Sequence, residues 1–234
     1  ELKEKPLEKY SVEKLSVTKF NPSNISIGEK LESEEGYSSY KFYFNVDGKK
    51  VSGLMNVPEG VGPFPIVVMF RGFVEKEIFQ TGVGTQRAGE VFAQHGFVTL
   101  APDFLGYGES DNPSDNAFEE RFQTHVTALT LMDSLKNLND AFVVSNIDGR
   151  ANPDLVGIWG HSNGGQISIT VLEVSSKAYP TVLWAPVSKP FPYSILFYTD
   201  EFDDRGKALR KALADFESDY DVELYSITNY FDKI

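Results

Sequence analysis

The feature that most constrains the fold is a series of four short apolar segments spread along the chain. They are FPIVVMF (64–70), FVTLAP (97–102), DLVGIWG (154–160) and TVLWAP (181–186). The first is apolar on both faces and bounded by Pro and Gly, as expected of a strand that is covered on two sides. Helical patterns separate the four segments, at 85–95, 117–138 and 163–176. Strands that alternate with helices predict an α/β fold, with a mostly parallel, doubly wound sheet and helices on both faces.

Before these segments the pattern is different. SSYKFYFNV (38–46) alternates polar and apolar side chains, and Asp47-Gly48 marks a tight turn into KKVSGLMNV (49–57). This pattern predicts an N-terminal antiparallel hairpin. Residues 1–36 are polar without a strong period, and we interpret them as an arm that packs on the domain or frays. Because the chain begins with Glu rather than Met, we expect that a segment upstream has been removed.

After the fourth apolar segment the alternation stops. Residues 187–234 predict a helix near 204–217, and we interpret the stretch as a helical excursion beside the sheet, or lid. We see no linker, so we predict a single domain over 1–234, C-terminally incomplete, with its core sheet and helices within 38–186.

The sharpest motif is Gly160-His161-Ser162-Asn163-Gly164, which fits G-x-S-x-G. It lies directly after a buried strand and directly before a predicted helix, which is the context that a nucleophile elbow requires. The chain must reverse sharply there, and the two glycines let backbones pass closely. The bend lifts Ser162 Oγ above the strand end, where the helix N-terminus favours developing negative charge. An ordinary Gly-rich turn with an idle serine is the alternative.

A hydrolase also needs hydrogen-bond donors that face the tetrahedral oxyanion. One is expected to be the backbone N–H of Asn163, directly after the nucleophile. The other is expected in the loop Arg71-Gly72-Phe73 after the first buried strand, where we favour the N–H of Phe73. The alternative is an ordinary strand-end loop.

The order of FPIVVMFRGF, FVTLAPDFLGYGES and GIWGHSNGG resembles the α/β-hydrolase superfamily over residues 38–186. The segment DFLGYGES (103–110) is similar to the D-x-x-G-x-G-x-S stretch of that superfamily. The pieces most resemble the branch that holds the prolyl-oligopeptidase catalytic domain, dienelactone hydrolase and small acyl esterases. The resemblance implies that Ser162 attacks an ester or amide carbonyl, giving a tetrahedral intermediate and then an acyl-enzyme.

The chain departs from the family at the oxyanion loop, where Arg71-Gly72 replaces His-Gly or His-Gly-Gly. A backbone donor survives that change. Arg71 can place a cation near the acyl pocket, suited to a substrate carboxylate. The alternative, which we favour, is a structural ion pair of Arg71 with Asp103.

Aromatic side chains are candidates for the remainder of a substrate pocket. Tyr107, Phe191 and Tyr198 can line an acyl or aromatic pocket, with core packing as the alternative. Trp184 lies on a predicted buried strand, so we expect it in the core.

The family's triad runs in the order Ser, Asp or Glu, His, but no histidine follows Ser162. His95 ends a helix, His125 lies on a long amphipathic helix, and the ring of His161 is expected to point away from the serine, so none is a credible base. The fold also lacks two strand–helix units, which need roughly 60 residues. We predict that the Asp and His come from a C-terminal fragment that is missing or is a second polypeptide, which would also cover the exposed sheet edge. A natural non-catalytic relative is the alternative.

Composition excludes several other functions. Lys and Arg number 22 and Asp and Glu number 34, a formal net charge of −12, so we expect no nucleic-acid partner and repulsion from anionic membranes. No apolar run approaches the roughly 20 residues of a spanning helix. There is no cysteine, which excludes a thiol nucleophile, and no metal or nucleotide motif, so we expect no cofactor.

Together these features predict a serine hydrolase that acts on small esters, without the propeller domain that gates the oligopeptidases. An oligopeptidase-type serine peptidase is the alternative enzyme, and a binding protein on a hydrolase fold is the alternative without catalysis. The sequence leaves the compartment and the oligomeric state open.

Overall fold

The computed structural model describes residues 4–175, 177–196, 199–201 and 203–234. These residues gather into two compact units. The sheet unit holds the described residues within 19–168 and 179–186, and the terminal unit holds those within 1–18, 169–178 and 187–234. The expectation of a single domain stays a prediction.

Seven strands form one mixed sheet in the order β1-β2-β3-β5-β4-β6-β7. They are β1 (Ser26–Glu34), β2 (Tyr37–Val46), β3 (Lys49–Pro58), β4 (Phe64–Phe70), β5 (Val98–Pro102), β6 (Ala151–His161) and β7 (Thr181–Trp184). Strands β5, β4, β6 and β7 pair in parallel, whereas β1, β2, β3 and β5 pair antiparallel. The predicted α/β fold and its N-terminal hairpin are therefore confirmed, and the antiparallel part is larger than expected.

Both faces of β4 are buried, which explains its unbroken apolar sequence. On one face Val67 and Met69 belong to a core cluster against which Ala88 and Phe92 of α2 (Gln86–Gln94) pack. Phe70 and its alternate neighbours point to the other face and are buried as well. This strand carries the loop 71–75 at its carboxyl end, so a rigid strand supports the predicted oxyanion loop.

The interpretation of 1–36 as an N-terminal arm did not anticipate a strand there. Ser26–Glu34 forms β1 at the edge of the sheet, antiparallel to β2. Nearly all of its side chains are exposed, so the strand lacks the apolar alternation on which the prediction relied. Polar and charged side chains are typical of an edge strand, because they discourage pairing with another chain.

The expected burial of Trp184 was also wrong, since its side chain is 61% exposed. Val182 and Leu183 of the same strand are exposed too. Among the described residues β7 pairs only with β6, so it has an open edge. An apolar sequence alone does not reveal whether anything covers the strand.

The helices follow the predicted positions with shifted ends. The long helix predicted at 117–138 is α3 (Ala117–Ser134), followed by a 3-10 turn and by α4 (Leu138–Val144). Asn116 begins α3, because its side-chain Oδ1 accepts hydrogen bonds at 3.0 Å from the N–H groups of Phe118 and Glu119. Helix α5 (Asn163–Val174) follows β6. Within the described part of the chain, no helix combines the length and hydropathy needed to cross a bilayer.

The terminal unit contains α1 (Val12–Val17), α6 (Lys207–Asp219) and several 3-10 turns. Its N-terminal arm is anchored, because Leu7 N–H donates to Tyr220 Oη and Tyr225 Oη donates to the Leu7 carbonyl, both at 3.1 Å. Phe191, which we considered for a pocket, is 4% exposed and packs against the rings of Phe216 and Tyr225. In this unit Phe191 is therefore a core side chain, and we correct its assignment to a substrate pocket.

Candidate active site

The structure places a sharp strand-to-helix turn at the G-x-S-x-G motif. Strand β6 ends at His161, α5 begins at Asn163, and Ser162 between them has φ of 52°. This left-handed conformation is uncommon for a residue with a side chain and costs energy. Two hydrogen bonds of 3.0 Å hold the turn: Ser162 N–H donates to the Trp184 carbonyl, and Gly165 N–H donates to the Ser162 carbonyl. A strained serine at this point is the geometry of a nucleophile elbow.

The glycines of the motif are required by close backbone approach. A Cβ on Gly164 would lie 1.9 Å from the carbonyl oxygen of Phe70, at the end of β4. A Cβ on Gly160 would lie 2.2 Å from Ser168 Oγ in α5. Helix α5 thus begins in direct contact with the backbone of β4, and its N-terminus lies beside the loop that follows that strand.

That loop passes directly beside the serine. A Cβ on Gly72 would lie 3.1 Å from Ser162 Cβ and 3.1 Å from His161 Nδ1. Within the described part of the chain, the backbone N–H groups of Phe73 and Asn163 donate no hydrogen bond. Two unused backbone donors on either side of the serine are what an oxyanion hole requires.

None of the three histidines forms a hydrogen bond with Ser162 Oγ in the described structure. His95 is exposed at the end of α2, and its Nδ1 lies 2.7 Å from a carbonyl of its own helix. His125 lies on α3. The ring of His161 lies beside Gly72, since its Nδ1 would be 3.1 Å from a Cβ at that position; its expected orientation away from Ser162 stays a prediction. No described histidine therefore makes the hydrogen bond to Ser162 Oγ that a positioned general base would make.

The first turn of α5 has a cationic neighbour that sequence reasoning missed. Arg121 of α3 donates from Nη2 to Gln166 Oε1 at 3.0 Å and, at the outer limit, to Asn163 Oδ1 at 3.5 Å. No carboxylate of the described residues pairs with it. Burial lowers the pKa of Arg121 to about 10, and burial together with the Arg121 charge lowers the pKa of His125 to about 3. Helical periodicity places Arg121 on α3 but does not show that it faces α5.

Arg71 has neither of the roles considered for it. Its side chain is buried, 7% exposed, and its guanidinium donates from Nη1 to the Gly72 carbonyl and from Nη2 to the Asp103 carbonyl, both at 2.9 Å. The guanidinium carbon lies 4.0 Å from the ring centroid of Tyr107 and 4.7 Å from that of Phe79. Arg71 is thus bound by carbonyls and rings, and the predicted ion pair with Asp103 is wrong.

The carboxylate of Asp103 instead fixes the start of the segment 103–110 by hydrogen bonds. Asp103 is 1% exposed, and its Oδ2 accepts hydrogen bonds from Ser52 Oγ at 2.6 Å and Thr81 Oγ1 at 2.8 Å. Burial raises the pKa of Asp103, and these hydrogen bonds oppose the shift. Ser52 N–H also donates to Ser110 Oγ at 2.9 Å, so both ends of the segment are tied to β3.

Of the two remaining pocket candidates, Tyr107 is bonded to the loop 71–75, which is predicted to carry an oxyanion donor. Its hydroxyl donates to the Val74 carbonyl at 2.9 Å, and its ring lies edge-on to Phe79. Tyr198 lies outside the described residues.

Comparison with known proteins agrees with the arrangement of the sheet and the motif. Residues 51–196 match the model of a family described as the dienelactone hydrolase family. No curated protein matches the chain.

Two solved structures illustrate the likeness in fold. Acetyl xylan esterase 1 from Thermoanaerobacterium sp. JW/SL YS485 is similar with a TM-score of 0.58 and 16% identity, over 92% of this chain and 70% of that chain. A hypothetical protein from Pseudomonas aeruginosa is similar with a TM-score of 0.55 and 18% identity, over 80% of this chain and 56% of that chain. At these identities the likeness concerns the fold alone.

Proposed function

Because the chain belongs to the dienelactone hydrolase family, we propose that it is a serine hydrolase that cleaves carboxylic esters with Ser162 as nucleophile. The observation that carries the proposal is the φ of 52° at Ser162, in the single residue between β6 and α5. An idle serine gains nothing from this strained conformation, whereas a nucleophile gains an exposed Oγ at the start of a helix.

In the proposed reaction Ser162 Oγ attacks the ester carbonyl and loses its proton to a general base. The N–H groups of Asn163 and Phe73 donate to the oxyanion of the tetrahedral intermediate. The protonated base then gives its proton to the leaving oxygen as the intermediate collapses with loss of the alcohol. The acyl group stays on Ser162 until water attacks it and releases the acid. Donors of this kind act mainly on the transition state, and removing one typically costs roughly 10²–10³-fold in kcat.

The base and its orienting acid come, in this proposal, from a C-terminal segment outside residues 1–234, either missing here or on a separate chain. Two observations support this part. No described histidine bonds Ser162 Oγ, and β7 has an open, apolar edge where a further parallel strand can pair. A strand added there would end at the same edge of the sheet as β6, which is the edge that carries Ser162.

Esters are favoured over peptides as substrates. The family takes its name from a lactone, which is a cyclic ester, and the acetyl xylan esterase of similar fold acts on an acetyl ester by its name. We therefore propose small acyl esters and lactones as the substrate class. Which acyl and alcohol groups are preferred is to be settled with a panel of esters.

A fluorophosphonate probe tests the proposal on the protein assembled with its C-terminal segment. We expect covalent labelling of wild type, located at Ser162 by peptide mass mapping, and no labelling of Ser162→Ala. Ser33→Ala, on the exposed strand β1, is the matched serine control and is expected to label like wild type.

Acetyl, cinnamoyl, lactone and peptide substrates then distinguish the activities. Faster turnover of peptides than of esters would favour the oligopeptidase-type alternative. A folded protein that neither labels nor hydrolyses any of them when assembled with the C-terminal segment would overturn the proposal in favour of a binding protein.

A further inference from the structure

The loop that carries the proposed oxyanion donor has little to hold it in place. Gly72 contacts Ser162 so closely that a side chain there would crowd the serine, and glycine leaves the backbone free to rotate. The next residue gives no anchor either, because Phe73 is 76% exposed. The orientation of the peptide between Gly72 and Phe73 therefore depends on something else.

Arg71 supplies that orientation through the Gly72 carbonyl. Its Nη1 donates to this oxygen at 2.9 Å, while its Nη2 is fixed on the Asp103 carbonyl at the end of the neighbouring strand β5. In a planar trans peptide the carbonyl of one residue and the N–H of the next point in opposite directions. Binding the Gly72 carbonyl thus turns the Phe73 N–H away from Arg71 and leaves it without an internal partner.

A second contact fixes the other side of Phe73. Tyr107 Oη donates to the Val74 carbonyl at 2.9 Å, and the Tyr107 ring stacks on the Arg71 guanidinium at 4.0 Å. The carbonyls before and after Phe73 are therefore both held, by two side chains that pack on each other. Phe79 covers Arg71 as well, at 4.7 Å.

This environment does not suit an arginine that binds substrate. The guanidinium is buried, both terminal nitrogens already donate to carbonyls, and aromatic rings cover it. The carbonyl and ring contacts offset part of the cost of burying the charge and hold the guanidinium in one geometry, while its buried Nε has no hydrogen-bond partner.

We propose that Arg71 is a positioning residue that aims the Phe73 N–H at the oxyanion, with Tyr107 as its support. This inference rests on the proposed hydrolase function. It adds a side chain that orients one of the two donors stabilising the transition state. Lysine cannot replace this arginine, because only the planar fork reaches two carbonyls at once.

The test compares Arg71→Met and Arg71→Lys with wild type in the full-length protein, using a small acyl ester. We expect kcat to fall roughly 10- to 100-fold in both variants, less than the full loss of a donor, while KM changes little. A boronic acid that mimics the tetrahedral intermediate is expected to lose affinity by the same factor as kcat/KM. Guanidinium ion at millimolar concentration is expected to restore part of the kcat of Arg71→Ala.

The controls separate positioning from general damage to the fold. Leu138→Ala removes a buried side chain from α4 and is expected to lower Tm while leaving the kcat of the folded enzyme unchanged. If Arg71→Met does not fold, Tyr107→Phe keeps the ring but removes the hydroxyl that contacts Val74 and interacts with Arg71, and it is expected to lower kcat by a smaller factor, again with little change in KM.

The outcomes distinguish the two proposals. A wild-type protein that neither labels nor turns over esters when assembled with the C-terminal segment overturns the proposed function. An active wild type whose Arg71→Met variant keeps kcat within twofold, or loses activity through KM alone, overturns the role of Arg71 and leaves the proposed function standing. A crystal structure of Arg71→Met with the Gly72 carbonyl unmoved would contradict the role of Arg71 independently of any rate.

Discussion

Replacing Gly164 with alanine tests how closely the start of α5 packs on β4. The new Cβ would lie 1.9 Å from the Phe70 carbonyl oxygen and 2.6 Å from that of Arg71. Carbon and oxygen normally approach to roughly 3.3 Å. Both neighbours are backbone, so no side-chain rotation relieves the clash, and the helix start must move by about 1 Å or more.

The expected magnitude follows from this displacement. Overpacking of this kind costs about 3 kcal/mol, the upper part of its usual range. For a chain of this size the cost corresponds to a fall in Tm of roughly 6–12 °C. Because Asn163 and Ser162 move with the helix, kcat for a small ester is expected to fall roughly 10²-fold, as for other displacements of about 1 Å.

Differential scanning calorimetry and ester hydrolysis measure the two effects on the full-length protein. Gly157→Ala is the matched control on β6, because its Cβ would meet only the Pro180 carbonyl, at 3.2 Å, a distance that small shifts can accommodate. Its stability is expected within about 1 kcal/mol of wild type. If Gly164→Ala matches this control in Tm and kcat, the close approach of α5 to β4 is wrong.

Two buried titratable groups predict opposite effects of pH on stability. Burial and the charge of Arg121 lower the pKa of His125 to about 3 in the folded protein. Between pH 6.5 and 3 the imidazole therefore binds a proton in the unfolded chain but not in the folded one, so the free energy of unfolding decreases as pH falls below 6.5. His125→Asn is expected to flatten the fall of Tm between pH 6.5 and 4, and an unchanged slope would contradict the reasoning. Burial raises the pKa of Glu173 to about 8, with Lys233 opposing and Asp232 reinforcing the shift, and both carboxylate oxygens lack a hydrogen bond. The stability that the protonated Glu173 contributes is present below pH 4.5 and is lost as pH rises toward 8. Glu173→Gln is therefore expected to raise Tm at pH 8 more than at pH 5. An equal change in Tm at both pH values would refute this role of Glu173.

Much of the sheet could be predicted because it depends on local pattern. A strand buried on both faces is apolar throughout, and a Gly-rich turn between such a strand and a helix has few conformations open to it. Ser162, Gly160 and Gly164 could therefore be selected from the sequence alone, together with the loop that follows β4.

The contacts of single side chains could not be predicted in the same way. Arg71 and Asp103 each follow one of two neighbouring strands, so their proximity could be anticipated, but the sequence does not show that the acceptor is a backbone carbonyl. The exposure of side chains on the edge strands could not be predicted either. Polar β1 forms a strand and apolar β7 is exposed, because each lies at an edge whose cover is not encoded in its own residues.

The exposed end of β7 gives the molecule a built-in optical probe. The chain has two tryptophans, and Trp159 is buried whereas Trp184 is open to solvent. The carbonyl of Trp184 accepts the hydrogen bond from the N–H of Ser162, so the indole belongs to the residue that braces the strained serine. The emission of Trp184 is therefore expected to report on the exposed edge of β7, and to shift toward the blue if the strand proposed to pair there excludes water from the indole.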